Sequence, residues 1–119
     1  MTLLTIGSVA NGDSMNNLLQ PQHCARMLRA LADPERLRII ECLRAGPKKV
    51  GEIADMLDTV IANISHHLGV LKKADLVLDE KQGRFVAYRL NPAVYRPAEP
   101  TEDTEHLDLG CCSLEIPKA

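Results

Sequence analysis

Two apolar-periodic segments only three residues apart constrain this chain more than any other feature of its sequence. Val50, Ile53, Ala54 and Leu57 fall on one helical face, and Ile61, Ile64, Leu68 and Leu71 repeat that spacing across Ile61–Lys73. Between them, Asp58-Thr59-Val60 reads as a turn. Two helices joined so tightly have the dimensions of a helix-turn-helix.

The flanking segments complete a unit. Asp33-Pro34 is a helix start, with Asp as N-cap, Pro at the first helical position and Glu35 near the positive end of the dipole. It predicts a helix over about 34–45, with Leu37, Ile39, Ile40 and Leu43 inward and Gly46-Pro47 as the stop. Upstream, Pro21 opens a helix over about 20–31, with Cys24, Met27, Leu28 and Leu31 in one stripe. Beyond Asp75 the period becomes strand-like. Leu76–Leu78 and Phe85–Tyr88 flank Lys81-Gln82-Gly83, which suits a hairpin. The expected fold is mainly α with a small β-hairpin wing (α+β), a winged helix-turn-helix over residues 18–92. Residues 1–17 read as a flexible arm. Residues 93–119 read as an acidic linker, broken by Pro97 and Pro100, and a cysteine-containing tail.

Composition narrows the class. No apolar run approaches the ~20 residues that cross a bilayer, and no positive start precedes the mildly apolar opening, so a cytoplasmic protein is expected. The formal net charge is −2. It is unevenly spread: residues 20–92 carry twelve Lys/Arg against nine Asp/Glu, and residues 93–119 carry two against six. A mildly basic centre is compatible with nucleic acid. No Gly-rich phosphate loop, HExxH or partnered nucleophile is present, which argues against an enzyme, including a small thiol reductase using Cys111-Cys112.

The segment Ile61–Lys73 also has an outer face suited to DNA. Asn63, Ser65 and His66 can hydrogen-bond base edges or phosphates. Ala62 and Gly69 permit close approach, and Lys72 and Lys73 can neutralise phosphates. Lys81 and Arg84 fall near the wing tip, within reach of the backbone or minor groove. His67, at the border of the buried face, reads as a half-buried structural histidine.

The runs Leu31-Ala32-Asp33-Pro34-Glu35-Arg36-Leu37-Arg38-Ile39-Ile40, Val50-Gly51-Glu52-Ile53-Ala54 and Ile64-Ser65-His66-His67-Leu68-Gly69-Val70-Leu71-Lys72-Lys73 closely resemble the ArsR/SmtB family of repressors. The match covers about residues 20–92. It implies a homodimeric winged-helix repressor that binds double-stranded operator DNA and is released by a metal, a metalloid or thiol chemistry. The chain departs from the family in two places. Val60 and Ile61 stand where polar residues are usual, and Asp79 and Glu80 occupy a wing strand that is commonly basic.

The resemblance also bears on the inducer. The Cys-x-Cys pair of many metal-sensing relatives aligns with Lys49 and Gly51, so that site is absent. A last-helix metal site is disfavoured by the prolines after Asn91, with only His106 available. The thiols remain. Cys111 and Cys112 supply two soft donors, Gly110 lets the backbone turn them together, and Cys24, on the same or the partner chain, is a candidate third ligand for arsenite or a soft metal ion. Cys24 on its apolar stripe also reads as a small core residue. The second-helix cysteine of persulfide-sensing relatives aligns with Glu41, one position before Cys42. Persulfide or disulfide switching therefore stands as the alternative, alongside a winged-helix binder with no inducer response.

Overall fold

The structure, a computed structural model, describes residues 21–118. The arm expected over residues 1–17 lies outside the described residues. Four helices come first in the described chain: α1 (Pro21–Leu31), α2 (Pro34–Arg44), α3 (Val50–Leu57) and α4 (Ile61–Lys73), with the short strand β1 (Lys48–Lys49) before α3. The strands β2 (Val77–Gln82) and β3 (Phe85–Leu90) follow, then β4 (Tyr95–Arg96), β5 (Thr104–Asp108) and β6 (Ser113–Pro117). Among the described residues, no helix is long and apolar enough to cross a membrane.

The local chemistry explains the boundaries. Asp33 caps α2: its carboxylate accepts the backbone N–H groups of Glu35 at 2.8 Å and Arg36 at 3.1 Å. Those bonds, that of Arg36 first, hold its pKa below the usual carboxylate value. The α3–α4 turn begins at Asp58, whose left-handed backbone (φ 55°) returns its N–H to the carbonyls of Ala54 and Asp55. Strands β2 and β3 pair antiparallel from Val77↔Leu90 to Gln82↔Phe85, and Gly83 (φ 62°) supplies the left-handed residue of the tight turn. The first sheet has the order β1-β3-β2, so the wing is anchored to the residues that open α3.

The core is aliphatic. Ile39, Ile53, Ile64, Leu68, Leu71, Leu76 and Val77 are all but sealed from solvent. They come from α2, α3, α4 and the start of the wing, so one cluster fixes the angle between the two helices of the helix-turn-helix.

Three expectations need correction. Leu37 is exposed, not inward: α2 turns Ile39, Ile40, Cys42 and Leu43 toward its neighbours α1, α3, α4 and β3, and Leu37 lies outside that arc. Ile61 is exposed, not inward: it is the first residue of α4 and projects beyond the core that receives Ile64, Leu68 and Leu71. The segment read as an acidic linker and tail is instead largely a second antiparallel sheet, β4-β5-β6. Alternate residues Glu105, Leu107 and Leu109 are buried, and Leu107 and Leu109 join the core with Val94. That is strand periodicity in a stretch whose charge disguised it.

Glu105 is accommodated by Arg44 at the end of α2. The Arg44 Nε donates to Glu105 Oε1 at 2.6 Å, and both side chains are buried. Tyr95 Oη donates to the same oxygen at 2.8 Å. Arg44 also pairs with Glu41 at 2.7 Å and donates to the carbonyl of Pro117. Burial alone pushes Glu105 up, but the hydrogen bonds from Arg44 and Tyr95 outweigh it and hold its pKa below the usual carboxylate value. Burial likewise opposes the Arg44 charge, and its carboxylate partners prevail.

Arg44→Met would strand a buried carboxylate, so a loss of about 3 kcal/mol in urea unfolding is expected. Arg44→Met/Glu105→Leu should recover much of it, because the second change removes the orphaned charge. A depressed folded pKa means that this stabilisation is present above the unfolded carboxylate value and is lost as pH falls through the folded one. Acid titration should therefore loosen the parent's second sheet, followed by Tyr95 fluorescence, and the double variant should lack that contribution.

Candidate nucleic-acid interface and thiol cluster

Helix α4 presents Ala62, Asn63, Ser65, His66, Gly69, Lys72 and Lys73 to solvent, while Ile64, Leu68 and Leu71 anchor it. Lys81 and Arg84 are exposed at the end of the β2–β3 hairpin. The residues expected to touch DNA are thus all at the surface, on one helix and one hairpin.

Two features adjust this picture. Lys72 Nζ lies 2.8 Å from the Asp79 carboxylate, which raises the Lys72 pKa and ties α4 to the wing strand. Asp79, on a strand that is commonly basic in the family, therefore braces the wing, and Lys72 is partly neutralised by it. Near the tip of the wing, Lys49 Nζ stacks 4.1 Å from the ring centroid of Phe85, which opens β3. No spacing rule links Lys49 to Phe85. The contact arises because β1 pairs with β3, matching Lys49 to Ala87.

Behind α4 stands Arg36. Its Nε donates to the carbonyl of Ala30 at 2.6 Å and its Nη2 to that of Arg29 at 3.4 Å, capping the end of α1. Its Nη1 lies 3.2 Å from His67 Nδ1. His67 is half-buried, in the structural place expected for it, with its ring centroid 5.6 Å from that of His66. A single guanidinium thus spans α1, α2 and α4. Residues 31 positions apart meet here, and sequence reasoning had no signal for it.

The thiol cluster forms at the tip of the β5–β6 hairpin. Asp108 pairs with Ser113, leaving four residues, Leu109–Cys112, to turn the chain. Gly110 takes φ 89°, its N–H donates to the Asp108 carboxylate at 3.0 Å, and the Leu109 N–H donates to the Cys112 carbonyl at 2.8 Å. This turn sets the Sγ atoms of Cys111 and Cys112 3.7 Å apart. Cys24, buried on α1, meets them from below: Cys24 and Cys111 are joined as a disulfide with Cα atoms 6.1 Å apart. All three sulfurs lie within 4.8 Å of one another. Two sulfurs sharing one soft ion at about 2.3 Å each can be at most about 4.6 Å apart, so once the Cys24–Cys111 bond is reduced a small separation of those two sulfurs would let all three reach one ion. Cys42 is apart from it, buried in the core, where burial pushes its thiol pKa up.

The structure and sequence have clear relatives. The family described as bacterial regulatory protein, arsR family, matches residues 33–78. The transcriptional repressor SdpR of Bacillus subtilis (strain 168) is 37% identical over 68 residues, 57% of this chain and 76% of that protein. The arsenical resistance operon repressor of Escherichia coli (strain K12) is 39% identical over 70 residues, 58% of this chain and 60% of that one. Among solved structures, the homodimeric winged helix-turn-helix DNA-binding domain of a possible ArsR-family transcriptional regulator from Mycobacterium bovis superposes with a TM-score of 0.60 at 26% identity, covering 72% of this chain and 76% of that one. With a helix-turn-helix in α3–α4, a hairpin wing behind it and a repressor 37% identical over most of that repressor's length, this chain is a winged helix-turn-helix transcriptional regulator and belongs to the arsR family.

Proposed function

We propose that the chain is a homodimeric repressor that binds double-stranded operator DNA and releases it when Cys24, Cys111 and Cys112 capture arsenite or a soft metal ion. The observation that carries the inducer is the convergence of three sulfurs from α1 and the hairpin tip. Thiolates favour soft ions, and three of them suit a trivalent metalloid. The E. coli relative's role in arsenical resistance is consistent with this chemistry. DNA reading is assigned to Asn63, Ser65 and His66 on α4, with Lys72, Lys73, Lys81 and Arg84 on the phosphates.

Cys24 and Cys111 must be reduced before they can ligate. Capture then fixes the hairpin tip to α1, and the Arg36 bridge from the end of α1 to His67 offers a short path to α4. In a dimer, a small rotation of α4 in each protomer spoils the match to two successive major grooves, about 34 Å apart. Such coupling commonly lowers occupancy 5–150-fold. A second reading rests on the Cys24–Cys111 disulfide itself: oxidation, not ion capture, is then the signal.

Cys111→Ser/Cys112→Ser should keep the parent's DNA affinity under reducing conditions and lose release by arsenite or cadmium. The measurement is fluorescence anisotropy on a duplex from upstream of the protein's own gene. Release by a thiol oxidant in ion-free buffer, with none by arsenite, selects the second reading.

On the DNA side, Ser65→Ala and His66→Ala should each cost about 1–3 kcal/mol on the operator and relax its sequence preference. Lys73→Ala and Arg84→Ala should weaken every duplex alike and reduce the salt slope by about one each. If all four variants bind as the parent does, the reading surface lies elsewhere.

A further inference from the structure

We infer that Val60 and Ile61 read thymine methyl groups in the major groove, making them specificity determinants of this chain. The inference rests on the DNA-reading role proposed for α4. Both residues sit at the leading end of that helix, Val60 as N-cap and Ile61 as its first residue. Val60 is 67% exposed, the most of any large apolar side chain in the described chain, and Ile61 is 57% exposed, level with Phe85 on the wing.

Each breaks a local rule. An N-cap favours Ser, Thr, Asp or Asn, whose oxygen accepts an N–H of the first turn. Val60 offers none, and no side-chain bond caps α4. Ile61 leaves a β-branched apolar surface in water where the core had room only for the next apolar residue, Ile64. Local rules broken without compensation inside the fold mark places where function sets the residue.

The occupant follows from position and chemistry. The N-terminal residues of a recognition helix are those that approach base edges. Ala62, Asn63 and Ser65 continue directly from Ile61 on the exposed side of α4, so the apolar pair is contiguous with the polar reading residues. In the major groove, only thymine presents a methyl group, at C5. Val and Ile are stiff about χ1 and lose little freedom on contact, so they discriminate by shape. A pair of this kind favours A·T steps at the outer end of the helix footprint and disfavours cytosine, which puts a hydrogen there and a donor beside it.

The test uses the full-length protein and a duplex selected from a random pool by that protein. Each dT is replaced in turn by deoxyuridine, which pairs identically and lacks only the methyl. Replacement at one or two positions in each half-site should weaken binding about fourfold per methyl, the equivalent of one buried methylene group. Val60→Ser/Ile61→Ser, at exposed positions, should bind dT and deoxyuridine duplexes equally. Equal binding of every substituted duplex by the parent would overturn the inference, as would a variant that keeps the parent's preference. Failure of the DNA-reading role has a different signature: no duplex is enriched at all.

Discussion

The register in which the second sheet docks on the helices depends on one buried ion pair, Arg44 with Glu105. Without it, β5 would bring an uncompensated carboxylate into the packing between α2 and the second sheet, opposing the apolar docking that Val94, Leu107 and Leu109 provide. With it, the cation at the end of α2 also meets Glu41 and the carbonyl of Pro117, so both edges of the β5–β6 hairpin are held. Docking in this register brings the hairpin tip over α1 and Cys111 to Cys24. The thiol cluster is therefore a consequence of an electrostatic contact on β5 and α2, elements that contribute none of its sulfurs.

How much could be read from the sequence follows from the range of the forces involved. The Asp33 cap, the α3–α4 turn and the Gly83 hairpin are local: each is settled by residues within a few positions, and each was legible. The outward turn of Ile61 was not, because periodicity assigns a face but not the point along a helix where the core ends. The second sheet was hidden for another reason. Its buried alternation contains Glu105, and a charge counts as exposed until its partner is known. Arg44 lies 61 positions away. The three cysteines were legible by chemistry as soft donors, whereas their meeting within one chain depends on that unseen sheet.

Helix α1, helix α4 and the start of the wing share one aliphatic core, and two polar contacts add to it. Lys72 with Asp79 links α4 to the wing strand at the surface. Arg36 does the same for α1 and α4, using two carbonyls that α1 leaves free at its end and one ring nitrogen of a half-buried histidine. Neither contact is apolar. Hydrogen bonds have preferred directions, so both contacts add to the orientation that the apolar core already sets.

The placement of Cys111 and Cys112 has an evolutionary reading as well. They occupy the bend of a two-stranded ribbon whose arms are already fixed by pairing from Thr104↔Pro117 to Asp108↔Ser113. Such bends tolerate replacement and lengthening because the ladder beneath them carries the stability. A lineage could exchange this short peptide for one bearing other side chains while the ladder and the helices stay untouched. The side chains at the bend are an interchangeable part, whereas Cys24, buried on α1, is held in place by the packing around it.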